Sequence, residues 1–139
     1  MKKEDCIFCR IANGEIPSDT VYEDDCFRVI LDLNPANPGH ALILPKEHFA
    51  DITELAEPYL SRVLALAAKI GQAQMKALGC DGFNVVQNNG EAAGQTVRHF
   101  HVHVIPRKRE ETEKIVTWTP HESDPAQQKK IAEAIRAAL

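Results

Sequence analysis

Three histidines at alternate positions, His99, His101 and His103, lie in the run His99-Phe100-His101-Val102-His103-Val104-Ile105. In an extended chain alternate side chains share a face, so the three imidazoles point one way and Phe100, Val102 and Val104 the other. At a rise of about 3.4 Å per residue, neighbouring rings on that face would stand roughly 7 Å apart. A solvated strand face explains one histidine easily and three poorly. Two chemistries would use such a row. Three imidazoles can bind one metal, as in histidine-rich catalytic zinc sites. Alternatively, one neutral imidazole attacks phosphorus while its neighbours orient it and bind the phosphate. Spacing alone favours neither.

The flanking loop narrows the choice. Asn88-Asn89-Gly90-Glu91-Ala92-Ala93-Gly94-Gln95-Thr96 is rich in small residues and neutral donors and runs straight into the histidines. Backbone amides near glycine, the Gln95 amide and the Thr96 hydroxyl suit anionic oxygens. Asn, Gln and Thr are not preferred ligands of zinc or transition metals. A plain hairpin connection would use the same glycines and asparagines. Near the start, Cys6 and Cys9 sit at i and i+3 of a short helical pattern, so their sulfurs can share one side. A redox CxxC normally lies near a βαβ pattern, and this one has no strand before it. A closed structural zinc site would need two further ligands. Cys26 and Cys80 stand alone and read as small buried thiols. Arg107-Lys108-Arg109 offers charge to phosphates, but Glu110, Glu111 and Glu113 follow, so the stretch reads as a solvated charged turn. His121 has no obvious partner and reads as a surface residue.

The elements that must carry these residues are legible from periodicity and turn chemistry. Cys6 to Ala12 has a helical pattern ended by Asn13-Gly14. Thr20 to Tyr22, Phe27 to Leu31, His40 to Leu44 and Phe83 to Val86 read as strands, with the histidine run as another and Ile115 to Trp118 as a last short one. Pro58 to Leu78 is the clearest helix, with Gly79 placed to end it, and Asp124-Pro125 caps a second that carries Ile131 and Ile135 on one face. The fold class expected is therefore α+β: an antiparallel sheet of about five strands, helices on one side, one long helix inserted and a C-terminal helix. The length, 139 residues, suits a single domain over 1–139, with the helix at about 124–138 as an extension. The net charge of −4 argues against a general nucleic-acid binder. The longest strictly apolar run, Val63 to Ala68, is too short for a bilayer, and no apolar signal-peptide core follows Lys2 and Lys3. A soluble, cytoplasmic protein is expected, with no membrane partner.

Gly94-Gln95-Thr96 followed by His99 to Ile105 resembles the signature of the histidine triad (HIT) family of nucleotide hydrolases and transferases, His-φ-His-φ-His-φ-φ with φ apolar. The segments Cys6 to Pro17 and Phe27 to Asp32, Gly39-His40, and Pro45-Lys46 before His48 also fall where that family has counterparts. The resemblance implies a HIT-like fold and a hydrolase cleaving purine nucleoside phosphoramidates or dinucleoside polyphosphates at the α-phosphate. On it, His101 is the nucleophile that forms a nucleotidyl-histidine, its other ring nitrogen held by a main-chain carbonyl. His103 and His40 would bind phosphate oxygens, and Gln95 and Thr96 would hold the phosphate and assist the leaving group, with Asn88 beside them. Many relatives have serine at Thr96. Asp32 would accept from both ribose hydroxyls, although a strand-end aspartate also commonly caps the following turn. Phe8, Ile11 and Ile30 would line a base pocket while serving as core. Histidine rather than glutamine at position 103 points toward hydrolases and away from uridylyltransferases. Some bacterial-type relatives complete the cysteine pair with two histidines, which map to His48 and His99. Structural zinc on Cys6, Cys9, His48 and His99, with no organic cofactor, is thus implied, as is a homodimer with the C-terminal segment and Trp118 near the partner's site. Two competing expectations are a metal-dependent hydrolase using the histidine row as ligands and a non-catalytic nucleotide-binding adaptor.

Overall fold

A computed structural model describes residues 1–113 and 116–139. Five strands form one antiparallel sheet in the order β1-β2-β3-β5-β4. They are β1 (Thr20–Glu23), β2 (Phe27–Leu31), β3 (Ala41–Pro45), β4 (Gly82–Val86) and β5 (Val102–Arg107). The helices are α1 (Ile7–Ala12), α2 (Tyr59–Leu78), inserted between β3 and β4, and α3 (Pro125–Ala138). This is the expected α+β architecture.

The helices do not share one side of the sheet, which corrects the expectation. Phe27, Val29, Ala41, Ile43, Val102 and Val104 form one core cluster with Tyr59, Val63, Leu66, Ala67 and Ile70 of α2. Ile30, Leu42 and Leu44 project from the opposite face and form a second cluster with Ala12, against which Phe8 and Ile11 pack. The sequence of β3 carries this information: all five residues of Ala-Leu-Ile-Leu-Pro are buried, the continuous apolar pattern of a strand covered on both faces. α2 ends at Gly79, whose backbone is left-handed (φ 66°) and whose N–H bonds to the Met75 carbonyl. Within α2, Gly71 permits close approach to β4, because a Cβ there would lie 2.3 Å from the Phe83 ring.

Two strand expectations are also corrected. The histidine run enters the sheet only at Val102, so His99 and His101 precede the ladder and only His103 belongs to it. Ile115 lies outside the described residues, and Val116 to Trp118 form no strand. α3 begins as expected, with the Asp124 carboxylate accepting from Ala126 N. None of its residues is buried, and Ile131 and Ile135 are exposed. Among the described residues no helix is long and apolar enough to cross a membrane.

Candidate active site

Strand alternation survives the loss of ladder pairing. Phe100, Val102 and Val104 fill the α2 core, while His99, His101 and His103 face α1. His101 and His103 have ring centroids 5.0 Å apart, closer than the roughly 7 Å spacing of alternate positions in an ideal strand, and residues 97–101 are held by individual main-chain bonds rather than a neighbouring strand. Phe100 N–H donates to Phe49 O at 2.6 Å and His99 N–H to Val97 O at 2.8 Å. His99 is fully buried, His101 is 6% exposed and His103 is partly buried, so the face is not a fully solvated one.

Hydrogen bonds to main-chain groups fix which nitrogen of each ring carries the proton, since a carbonyl can only accept and an amide N–H only donate. His101 Nδ1 lies 2.7 Å from His99 O and must therefore be the protonated nitrogen. Its Nε2 keeps a free lone pair. His40 Nδ1 accepts from Ala36 N–H at 3.0 Å, which places the proton on Nε2. That Nε2–H donates to His103 Nδ1 at 2.9 Å and leaves His103 with Nε2–H as an outward donor. A relay thus runs from Ala36 through His40 to His103. Burial depresses the basicity of His40 and His101, and it pushes His103 down to about 4. Three neutral rings result, one offering a lone pair and another an N–H.

The sequence-level site residues fall into place unevenly. Asp32 performs the turn-capping job, its Oδ1 accepting from Asn34 N–H at 2.9 Å, and also presents Oδ2 at 3.6 Å from His40 Nε2. Phe8 stands edge-on to His101 at 5.0 Å, and Ile11 and Ile30 lie in the same apolar cluster. Thr96 is exposed, its hydroxyl has no hydrogen-bond partner among the described residues, and the Asn88 amide lies over Gly94. Two expectations need correction. His40 does not offer a free N–H to phosphate; its ring is consumed in orienting His103. The Gln95 amide is likewise not free: it is buried, donates to Ala50 O at 2.6 Å and Val97 O at 3.1 Å, and accepts from Gly90 N–H at 2.8 Å. Gln95 shapes the loop rather than facing solvent. Ala36 had no signal beyond its place in the turn before His40. Arg107 is paired with Glu111, and Arg109 with Asp81.

The three triad rings do not converge on one point, as a shared metal would require. His99 instead turns to the cysteines. Its Nδ1 lies 3.4 Å from both Cys6 Sγ and Cys9 Sγ, and its Nε2–H donates to Pro45 O at 3.0 Å. His48 Nδ1 completes the group at 3.4 Å from Cys9 Sγ. These four ligand atoms all lie within 4.8 Å of one another. A tetrahedral zinc with ordinary Zn–S and Zn–N bonds places sulfur and nitrogen about 3.6 Å apart, so the set fits that ion. The chemistry of the donors fits as well, two thiols with two neutral imidazoles. The Pro45 bond supplies the outer-shell partner that a metal-ligating histidine normally has. Burial pushes the Cys9 thiol up to about 11, and a cation between the sulfurs would reverse that preference. A second cluster, Asp32, His40 and His103, is compact but unsuited to a cation, because the Ala36 N–H keeps the proton on the His40 nitrogen that would have to ligate.

Residues 13–110 match the family model described as HIT domain. The chain is 38% identical over 134 residues to an adenosine 5'-monophosphoramidase of Schizosaccharomyces pombe, covering 96% of this chain and 98% of that protein. A crystal structure of a HIT family member from Bacillus subtilis superposes with a TM-score of 0.89 at 35% identity, covering 98% of both chains. A zinc-bound histidine triad family protein from Mycobacterium smegmatis superposes with a TM-score of 0.76 at 33% identity, covering 96% of this chain and 94% of that one.

Proposed function

The chain belongs to the HIT domain family, and from that premise we propose that it is a nucleotide hydrolase working through a covalent nucleotidyl-histidine on His101. The observation that carries this reading is the His101 Nδ1–H bond to His99 O, which leaves Nε2 unprotonated and buried beside a neutral donor. In the first step Nε2 forms a bond to the α-phosphorus as the bond to the leaving group breaks. His103 Nε2–H donates to a phosphoryl oxygen where charge develops, with His40 as its positioning residue. The exposed Thr96 hydroxyl and the Asn88 amide serve the leaving-group side. In the second step water attacks phosphorus, the P–Nε2 bond breaks, and a nucleoside monophosphate leaves with His101 restored.

Asp32 Oδ2 is assigned to the ribose hydroxyls, and Phe8, Ile11 and Ile30 to the wall against the base. The named activity of the fission-yeast relative favours a purine nucleoside phosphoramidate as substrate, with dinucleoside polyphosphates as the alternative. The reading includes a cytoplasmic homodimer with Trp118 near the partner's site, a single domain over 1–139, and zinc on Cys6, Cys9, His48 and His99. Bound there, zinc would supply cohesion, since all four coordination positions are protein ligands. The test is release of adenosine monophosphate from adenosine phosphoramidate by wild type and His101→Ala. Loss of turnover in the variant supports the reading. Retained turnover, with both proteins equally folded, overturns it.

A further inference from the structure

Residues 97–101 reach β5 without a strand neighbour, so something other than the sheet must fix the His99 carbonyl that holds His101. Two main-chain bonds contribute, from His99 N and Phe100 N. Beside the Gln95 bond to Val97 O and the buried Phe100 side chain, a further restraint is the His99 ring itself. It is fully buried, with Nε2–H bound to Pro45 O and Nδ1 facing both sulfurs. One residue therefore gives its ring to the Cys₂His₂ set and its carbonyl to the nucleophile. A second route runs through Phe8, which lies between Cys6 and Cys9 in α1. Its ring packs edge-on against His99 (6.1 Å, 87°) and against His101 (5.0 Å, 83°). The set draws together α1, the loop carrying His48 after β3, and the segment before β5. The His99 carbonyl and the Phe8 ring, two of the contacts that hold His101, are both tied to it.

We infer that the Cys6, Cys9, His48 and His99 set is a positioning device for the nucleophile, so that a metal held there governs how readily His101 reacts, through the His99 carbonyl and Phe8. His99 and Phe8 are positioning residues in this account, and the inference rests on His101 being the nucleophile. A ring pinned at both nitrogens anchors the Cα–Cβ bond of a residue with no ladder partner and, together with the main-chain bonds at His99 N and Phe100 N, restrains the direction of its carbonyl. Displacements of about 1 Å at a reacting group cost on the order of 100-fold in rate, so a small change in ligand geometry is enough to be measured.

The test compares full-length protein loaded with zinc, loaded with cadmium, whose bonds to thiolate are longer, and stripped by a chelator. Metal content is measured directly and folding by circular dichroism. Two readouts follow: the single-turnover rate of nucleotidylation by adenosine phosphoramidate, and the ¹⁵N ring signals of His101, which report which nitrogen is protonated. The account expects the cadmium and stripped forms to react about 10- to 100-fold more slowly, the scale of outer-shell substitutions. It also expects the single Nδ1–H pattern of His101 to be lost or mixed, with affinity for adenosine monophosphate little changed. If the stripped protein unfolds, the folded cadmium form decides. Equal rates and an unchanged His101 signal in zinc and cadmium forms overturn the inference. Failure of the zinc form to make any adduct at His101 overturns the underlying nucleophile reading instead.

Discussion

Acid should destabilise this protein through His103 in a way that a single substitution can remove. His103 is held down to about 4, first by burial and then by the neighbouring His101 and His40, against an ordinary value of 6.5. Between those two pH values the unfolded chain binds a proton that the folded chain refuses, so stability rises with pH across that window and falls as acid is added. A difference of about 2.5 pKa units, at about 1.36 kcal/mol each, sets a ceiling of about 3.4 kcal/mol on the loss, of which about 3 kcal/mol is reached by the folded-state value. His103→Gln keeps a polar side chain of similar reach that does not titrate, while His40, His101 and Asp32 remain in both proteins. Urea unfolding of both, followed from neutral pH down to about pH 4, gives the comparison. The wild type should lose up to about 3 kcal/mol more than the variant over that range. Identical pH slopes would refute the placement of His103 as a partly buried neutral ring.

Three further outcomes follow from the same geometry. Gln95→Ala leaves Gly90 N–H and Ala50 O without their partner, while Val97 O keeps the His99 N–H, and an orphaned buried group costs about 1–3 kcal/mol, so urea unfolding should show a loss of about 2–4 kcal/mol. An unchanged midpoint would mean that the amide is not what shapes the loop. Asp32→Asn keeps an acceptor for Asn34 N–H but removes the carboxylate assigned to the ribose; calorimetry should show nucleoside monophosphate binding weakened by about tenfold, or about 1.4 kcal/mol, at unchanged stability. Lost stability with unchanged binding would reduce Asp32 to its turn. Gly71→Ala drives a methyl into the Phe83 ring and should cost about 1–3 kcal/mol in a thermal melt, whereas a neutral result would show that α2 and β4 separate without penalty.

Most elements were legible because their signals are local. The 20-residue α2 announced itself by periodicity and Gly79, and α3 by Asp124-Pro125. What the sequence concealed was set by partners remote along the chain. Nothing local says that Phe100 N–H will bond to Phe49 O rather than to a strand, so the histidine run read as one continuous strand. Burial of β3 on both faces was present in its unbroken apolar run, but a six-residue α1 gave too few turns to show which face it would cover. The chemical types at the site were also legible, and their hydrogen-bond assignments were not. Gln95 and His40 read as free donors from sequence, but the Ala50 and Val97 carbonyls take the Gln95 amide and His103 Nδ1 takes the His40 N–H. The Cys₂His₂ set followed from family resemblance and not from spacing, because His48 and His99 lie 39 and 90 residues from Cys9.

The central claim is a covalent bond from His101 Nε2 to the α-phosphorus, and intact-protein mass spectrometry tests it most directly. Wild-type protein mixed with adenosine phosphoramidate should be quenched within the first turnover in alkaline denaturant, since phosphorus–nitrogen bonds to histidine are labile in acid. The account predicts one nucleotidyl group per chain, mapped by fragmentation to His101, decaying as adenosine monophosphate appears and absent from His101→Ala. Turnover with no adduct at any time, or an adduct mapped to His103 or His40, would contradict it.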